Sequence, residues 1–220
     1  LVDIFDEISD DLRAERTMRL LRRYGGMFIV AAVLVLAGVA GQQFWQSYQA
    51  KQNAAAAAKF INLTQQLDTL GGATPQQRIT NAQALANFAM TAPAGYRSLA
   101  NLQAAGLYAA AGQVDAAEGL WNNVAADPAA DPLLRQLADL LWSQHALGVA
   151  PDDAVLSRLA PLTAPENIWH GLAQETQALL YLREGKKDQA KALFSEIASD
   201  PSSPEGVRNR ADGLLAQLNG

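Results

Sequence analysis

The residues that could do chemistry are few and scattered. His145 and His170 are the two histidines of the 220-residue chain, and there is no cysteine. Without cysteine there is no disulfide, thiolate zinc site, thiolate-bound iron–sulfur cluster or cysteine nucleophile. The histidines stand 25 positions apart with no cysteine partner, so each is expected to be a surface or helix-packing residue. Asp152-Asp153 follows Pro151. Acids at a helix start favour its dipole, so capping is expected there rather than metal binding. Lys186-Lys187 after Gly185 reads as a solvated turn, and Glu175 and Glu184 as surface charges. There is no P-loop, dinucleotide fingerprint or paired-histidine zinc motif. With no convergent acid, base and nucleophile, no catalytic, cofactor-binding or metal residue is assigned. The chain is expected to be no enzyme and to need no cofactor.

The composition points to helices. Alanine supplies 43 of the 220 residues, half the chain is hydrophobic, and 17 basic residues face 22 acidic ones for a net charge of −5. Alanine is the best helix former, so an all-α fold with close helix contacts is expected. The acidic balance argues against a nucleic-acid partner. The length suits one domain, or one with an appendage.

The appendage is at the N-terminus. Residues 24–50 carry no charge, and the strongest apolar stretch is Gly25–Trp45. Twenty-one residues at 1.5 Å each span about 31 Å, the thickness of a hydrocarbon core. A cleaved signal peptide has a shorter apolar region, and a core helix is rarely so free of charge. An uncleaved transmembrane helix over 25–45 is therefore expected. Arg13, Arg16, Arg19, Arg22 and Arg23 precede it, whereas the first basic residues after it are Lys51 and Lys59. Basic flanks stay cytoplasmic. This predicts a cytoplasmic stub over 1–24 and, in a bacterium, a periplasmic C-terminal domain on a single-pass inner-membrane protein. The stub either anchors topology alone or docks a partner through Ile4, Phe5 and Ile8; its arginine face also suits anionic lipid. Leu1 stands where a methionine would begin a chain, so a few natural residues are expected before it.

Beyond the span, residues 46–72 read as a connecting helix that starts a helical array. Thr74-Pro75 then supplies a cap and a first-turn proline. The segment AAGLYAAAGQVDAAEGLWNNVAADP from Ala104 aligns without a gap on QALLYLREGKKDQAKALFSEIASDP from Gln177, at an offset of 73. Tyr108 matches Tyr181, Gly112 matches Gly185, Ala117 matches Ala190, Trp121 matches Phe194 and Pro128 matches Pro201. Seventy-three is about twice 36, and Gly148 falls 36 after Gly112 and 37 before Gly185, where an intervening unit needs its turn. The order of aromatic, glycine turn, small residue, aromatic knob and proline stop resembles the tetratricopeptide repeat, a helical hairpin of about 34 residues. The reading is an α-solenoid of degenerate hairpins over 73–203, a first unit inferred over 51–92, and a capping helix over 204–220. Trp121 and Phe194 are expected to be buried beside Ala117 and Ala190.

In such a hairpin the first helix lines the concave face. Counting back from each glycine places Leu99, Leu102, Gly106 and Ala109 there in one unit, and Leu172, Glu175, Leu179 and Leu182 in another. The middle unit offers Arg135, Ala138, Trp142 and His145. The candidate partner-binding groove is Leu99, Leu102, Trp142, Leu179 and Leu182. Either neighbouring helices, including the long N-terminal one, fill it, or it stays open to unfolded chain or a partner helix.

The acidic-then-arginine start VDIFDEISDDLRAERTMRLLRRYG, one span, an alanine-rich helix and degenerate repeats together resemble the bacterial ancillary SecYEG translocon subunit family. The resemblance covers nearly the whole chain, and its most specific part is the N-terminal segment. It implies association with the protein-secretion channel and with a membrane-anchored periplasmic chaperone, with no catalytic motif. A scaffold or chaperone-like adaptor holding unfolded clients is the reading that follows. The alternative is a structural accessory subunit of another inner-membrane complex, such as a respiratory or envelope assembly.

Overall fold

A computed structural model describes the backbone of residues 3–68 and 73–219, and side chains from Met27 onward apart from residues 28, 29, 32 and 66–72. The elements in order are α1 (Asp3–Asp68), α2 (Pro75–Ala89), α3 (Ala94–Ala110), α4 (Val114–Ala126), α5 (Pro132–Ala146), α6 (Asp152–Leu159), a 3-10 turn (Ala160–Leu162), α7 (His170–Arg183), α8 (Lys187–Ser199) and α9 (Glu205–Asn219). No strand occurs among the described residues. The chain divides into two compact units, residues 1–54 and 55–220.

The first unit is the N-terminal part of α1. No proline or charge interrupts residues 24–50, so helical hydrogen bonding runs through them unbroken. Every described side chain from Met27 to Ala50 is exposed. Val33, Leu34, Val35 and Leu36 are consecutive and 57–68% exposed. At about 100° per residue these four point to all sides of the helix, so it is apolar all round. Among the described residues no helix is long and apolar enough to cross a membrane. Gly25, Gly26, Phe28, Ile29 and Ala32 of the expected span lie outside the described side chains, as do the five arginines Arg13, Arg16, Arg19, Arg22 and Arg23 and the stub residues Ile4, Phe5 and Ile8.

In the second unit the far end of α1 packs into the array. Ala56, Phe60 and Leu63 join a cluster built on Leu85, Phe88 and Ala100. The Phe60 ring stands 6.4 Å from Phe88 and 6.1 Å from Tyr96. The cap at Thr74 forms, and Gln77 completes it as a capping box: Gln77 N–H donates to Thr74 Oγ1 at 3.3 Å, and Thr74 N–H donates to Gln77 Oε1 at 2.8 Å.

Hairpins α3–α4 and α7–α8 repeat one another bond for bond. Gly112 and Gly185 have φ of 77° and 79°, which glycine adopts without a Cβ penalty. The next residue in each case donates back five positions, Gln113 to Tyr108 and Lys186 to Tyr181, both at 2.8 Å, while the glycines donate to Ala109 and Leu182. This pair of bonds closes the open carbonyls of a helix end. At the far ends Asp127 accepts from the N–H of Ala129, and Asp200 from that of Ser202, both at 2.9 Å. Trp121, Phe194, Ala117 and Ala190 are fully buried, as the 73-residue alignment requires. Gly148 also takes a positive φ, 83°, so a third turn lies between the two. Its bonding differs, because Val149 and Ala150 both donate to Ala146 and five residues, not three, lead to the next helix.

Candidate partner-binding surface

The candidate groove residues follow from how the first helices of successive hairpins, α3, α5 and α7, meet their neighbours. Leu102 on α3 is half-buried against the central cluster that holds Ala138, Trp142 and Ala173. Its counterpart 73 positions on is Glu175, which the sequence alone presents as a surface charge. It is buried, and Arg210 of α9 grips it with two bonds of 2.7 and 2.6 Å. This position of the hairpin is therefore a seam onto the next helix and not open groove. The offset alignment held the signal, because it sets a carboxylate opposite a leucine.

Trp142 requires a correction. It is only 7% exposed and does not line an open face. The Arg158 guanidinium lies 3.8 Å over its ring, and the same arginine donates to Asn122 of α4 at 2.8 Å and to Asp139 of α5 at 3.5 Å. One side chain thus ties α4, α5 and α6 together. His145, one turn on, stacks its ring 4.6 Å from that of Trp121. The register counted from Gly148 fails here because the longer α5–α6 turn lets α5 direct this side toward α4 and α6.

Two of the five candidates are open. Leu99 is 39% exposed and Leu179 37%. Leu182 is half-buried and packs on the cluster of Ala178, Phe194 and Val207. Around Leu99 the surface stays bare, since a Cβ added at Gly95 or Gly106 would meet nothing within 4 Å. Phe60 sits against Phe88 and Tyr96, and their cluster does not include Leu99.

The charged groups mostly brace helices. Asp152 pairs with Arg183, Asp127 with Arg97 at 3.3 Å, and Lys186 with Glu184 at 3.1 Å. Burial pushes the Asp139 carboxyl above its ordinary value, and Arg158 and Arg135 draw it part of the way back. Asp200 moves the other way, down to about 2, because the Ser202 and Ser203 hydroxyls and the Ser202 amide all donate to it. His170 Nδ1 sits 2.7 Å from the Thr163 carbonyl and His145 Nδ1 2.9 Å from that of Leu141, so both rings meet backbone. Among the described residues no three His, Asp or Glu side chains are placed to hold a metal ion. Among the described residues the arrangement offers surfaces for contact.

The family described as a tetratricopeptide repeat-like domain matches residues 19–211, which begins before the apolar run at 25–45 and ends inside α9. No curated protein and no solved structure matches.

Proposed function

This chain belongs to the tetratricopeptide repeat-like domain family, and from that premise we propose that it is a protein–protein interaction scaffold held in the bacterial inner membrane by residues 25–45. The observation that carries the reading is the N-terminal part of α1, where Val33, Leu34, Val35 and Leu36 expose carbon on every side of one helix. Such a helix has a low free energy only in hydrocarbon or in a protein core. The arginines before residue 24 favour a cytoplasmic N-terminus and a periplasmic array. In this reading the array works as an adaptor at the secretion channel, alongside a membrane-anchored chaperone, and Leu99 and Leu179, flanked by Leu102 and Leu182, receive a client or partner helix. The family match supports the repeats; the channel rests on the likeness of the N-terminal segment to the ancillary translocon subunits.

In-cell photo-crosslinking from Val35 and from Leu99 tests this. Adducts with secretion-channel subunits from Val35 are the expected result. Adducts confined to a different membrane complex favour the accessory-subunit alternative. Release of the chain from membranes by alkaline carbonate defeats the anchor itself.

A further inference from the structure

Three large aromatic side chains are exposed together in the first unit. Phe44 is 71% exposed, Trp45 61% and Tyr48 50%. Among the described residues every Phe, Trp and Tyr of the second unit is buried or half-buried. Aromatic carbon is thus covered in the array and bare on this stretch of α1. At about 100° per residue, Phe44, Trp45, Tyr48, Lys51 and Gln52 share about a third of the helix circumference. Gln43, Gln46 and Asn53 lie on the other side, and they are exposed too. The Trp45 and Tyr48 rings stand 6.4 Å apart, and Gln52 Nε2 donates to the Tyr48 hydroxyl at 3.0 Å. The rings are therefore gathered on one side of the helix.

We propose that Phe44, Trp45 and Tyr48 are a one-sided contact with the glycerol and headgroup layer of the membrane lipids, on which α1 leans as it leaves the bilayer. Heights along the axis fit that layer. Val35 is the centre of the apolar stretch 25–45. At 1.5 Å per residue, Phe44 and Trp45 stand about 14 and 15 Å beyond it, Tyr48 about 20 Å and Lys51 about 24 Å. The hydrocarbon of one leaflet ends at about 15 Å and its headgroups at about 20–22 Å. Polarity rises in the same order, from a phenyl ring to an indole, a phenol and an ammonium. Helix side chains lean toward the N-terminus, so the Lys51 ammonium reaches back to the lipid phosphates, where its charge is complementary. Sidedness follows from Gln43 and Gln46, which stand about as high as Phe44 and Trp45 on the other side of the helix. An amide facing hydrocarbon is costly. Leaning lowers the aromatic side and lifts these two glutamines toward water. The contact rests on the membrane reading of residues 25–45, and it needs neither the secretion channel nor a partner protein.

The test places the full chain in nanodiscs of phosphatidylcholine and phosphatidylglycerol. The emission that Trp45→Phe removes is expected to be quenched more by lipids brominated near the head of the acyl chain than by lipids brominated near its end. The chain has no cysteine, so single-cysteine variants report without background. With a water-soluble maleimide, Ala50→Cys is expected to react severalfold faster than Gln52→Cys. Residue 50 is the closer to the span, but residue 52 shares the aromatic side. Combining Phe44→Ala, Trp45→Ala and Tyr48→Ala is expected to abolish that inversion. Every substituted side chain is exposed, so no core is disturbed. Val35→Cys separates the two ways of failing. If it is protected while Trp45 escapes quenching, or is quenched more from the chain end, the lipid contact is overturned and the anchor stands. Protection of Val35→Cys with reactivity at 50 and 52 that follows distance from the span has the same meaning, as does an inversion that survives the triple replacement. Free reaction of Val35→Cys overturns the anchor, and the lipid contact with it.

Discussion

Glu175 brings a carboxylate into a seam that Leu102 fills with carbon in the equivalent hairpin. The ion pair with Arg210 is lopsided, since the carboxylate side chain is 9% exposed and the guanidinium side chain 54%. Removing the arginine leaves a buried charge unpaired, a change that costs 3–5 kcal/mol in full burial and less where one partner is wet. Arg210→Met is therefore expected to destabilise by about 2 kcal/mol in urea unfolding. Replacing both, with Glu175→Leu to match the other hairpin, is expected to recover most of that loss, and an undiminished loss in the double variant would rule out the unpaired carboxylate as its cause. Asp200 supplies a pH dependence. Its pKa falls from the ordinary carboxylate range, about 3.9, to about 2 when the Ser202 and Ser203 hydroxyls donate to it in the folded chain. A depressed folded pKa means that its contribution is complete above about pH 4 and is lost as pH falls toward 2. Stability measured across that window should fall less steeply in Asp200→Asn than in the parent; parallel curves would exclude this turn as a contributor.

At the scale of elements, the hairpins hold their register through small residues at the entry of each first helix. Gly171 begins the buried side of α7 against the turn at Ser203, and a Cβ there would stand 2.5 Å from Ser203 Oγ and 3.2 Å from its Cβ. The hydroxyl donates to Asp200 at 2.7 Å and is not free to swing away. The earlier hairpin has the reverse assignment at the same register, Ser98 and Ala130, both buried. Gly171→Ala is expected to cost about 1–3 kcal/mol by overpacking. Adding Ser203→Ala should recover part of it, so a double-mutant cycle by chemical denaturation should show coupling above about 0.5 kcal/mol. Strict additivity would mean that the two positions do not touch.

For the whole molecule, one helix, α1, belongs to both compact units: its apolar length lies in the first, and Ala56, Phe60 and Leu63 are core of the second. A periplasm-dependent reporter fused after Gly220 is expected to be active in the parent chain. Neutralising Arg13, Arg16, Arg19, Arg22 and Arg23 should give mixed orientation, because basic residues near the span set its direction. Reporter activity confined to the cytoplasm in the parent would overturn the proposed topology.

What the residues determined unaided are the features whose partners lie close along the chain. The capping box at Thr74 and Gln77, the turns at Gly112 and Gly185, and the aspartates before Pro128 and Pro201 each bond within about six positions, so their types and spacing suffice. The buried Trp121 and Phe194 were legible for a related reason: the same local code repeats after 73 residues and carries its packing with it. The placement of Trp142 and Glu175 was decided only in three dimensions. Arg158 reaches Asn122 across 36 positions, and Arg210 reaches Glu175 across 35. Which side of α5 or α7 turns inward depends on those distant partners, and a helix with apolar residues on several sides does not select one until its neighbours are in place.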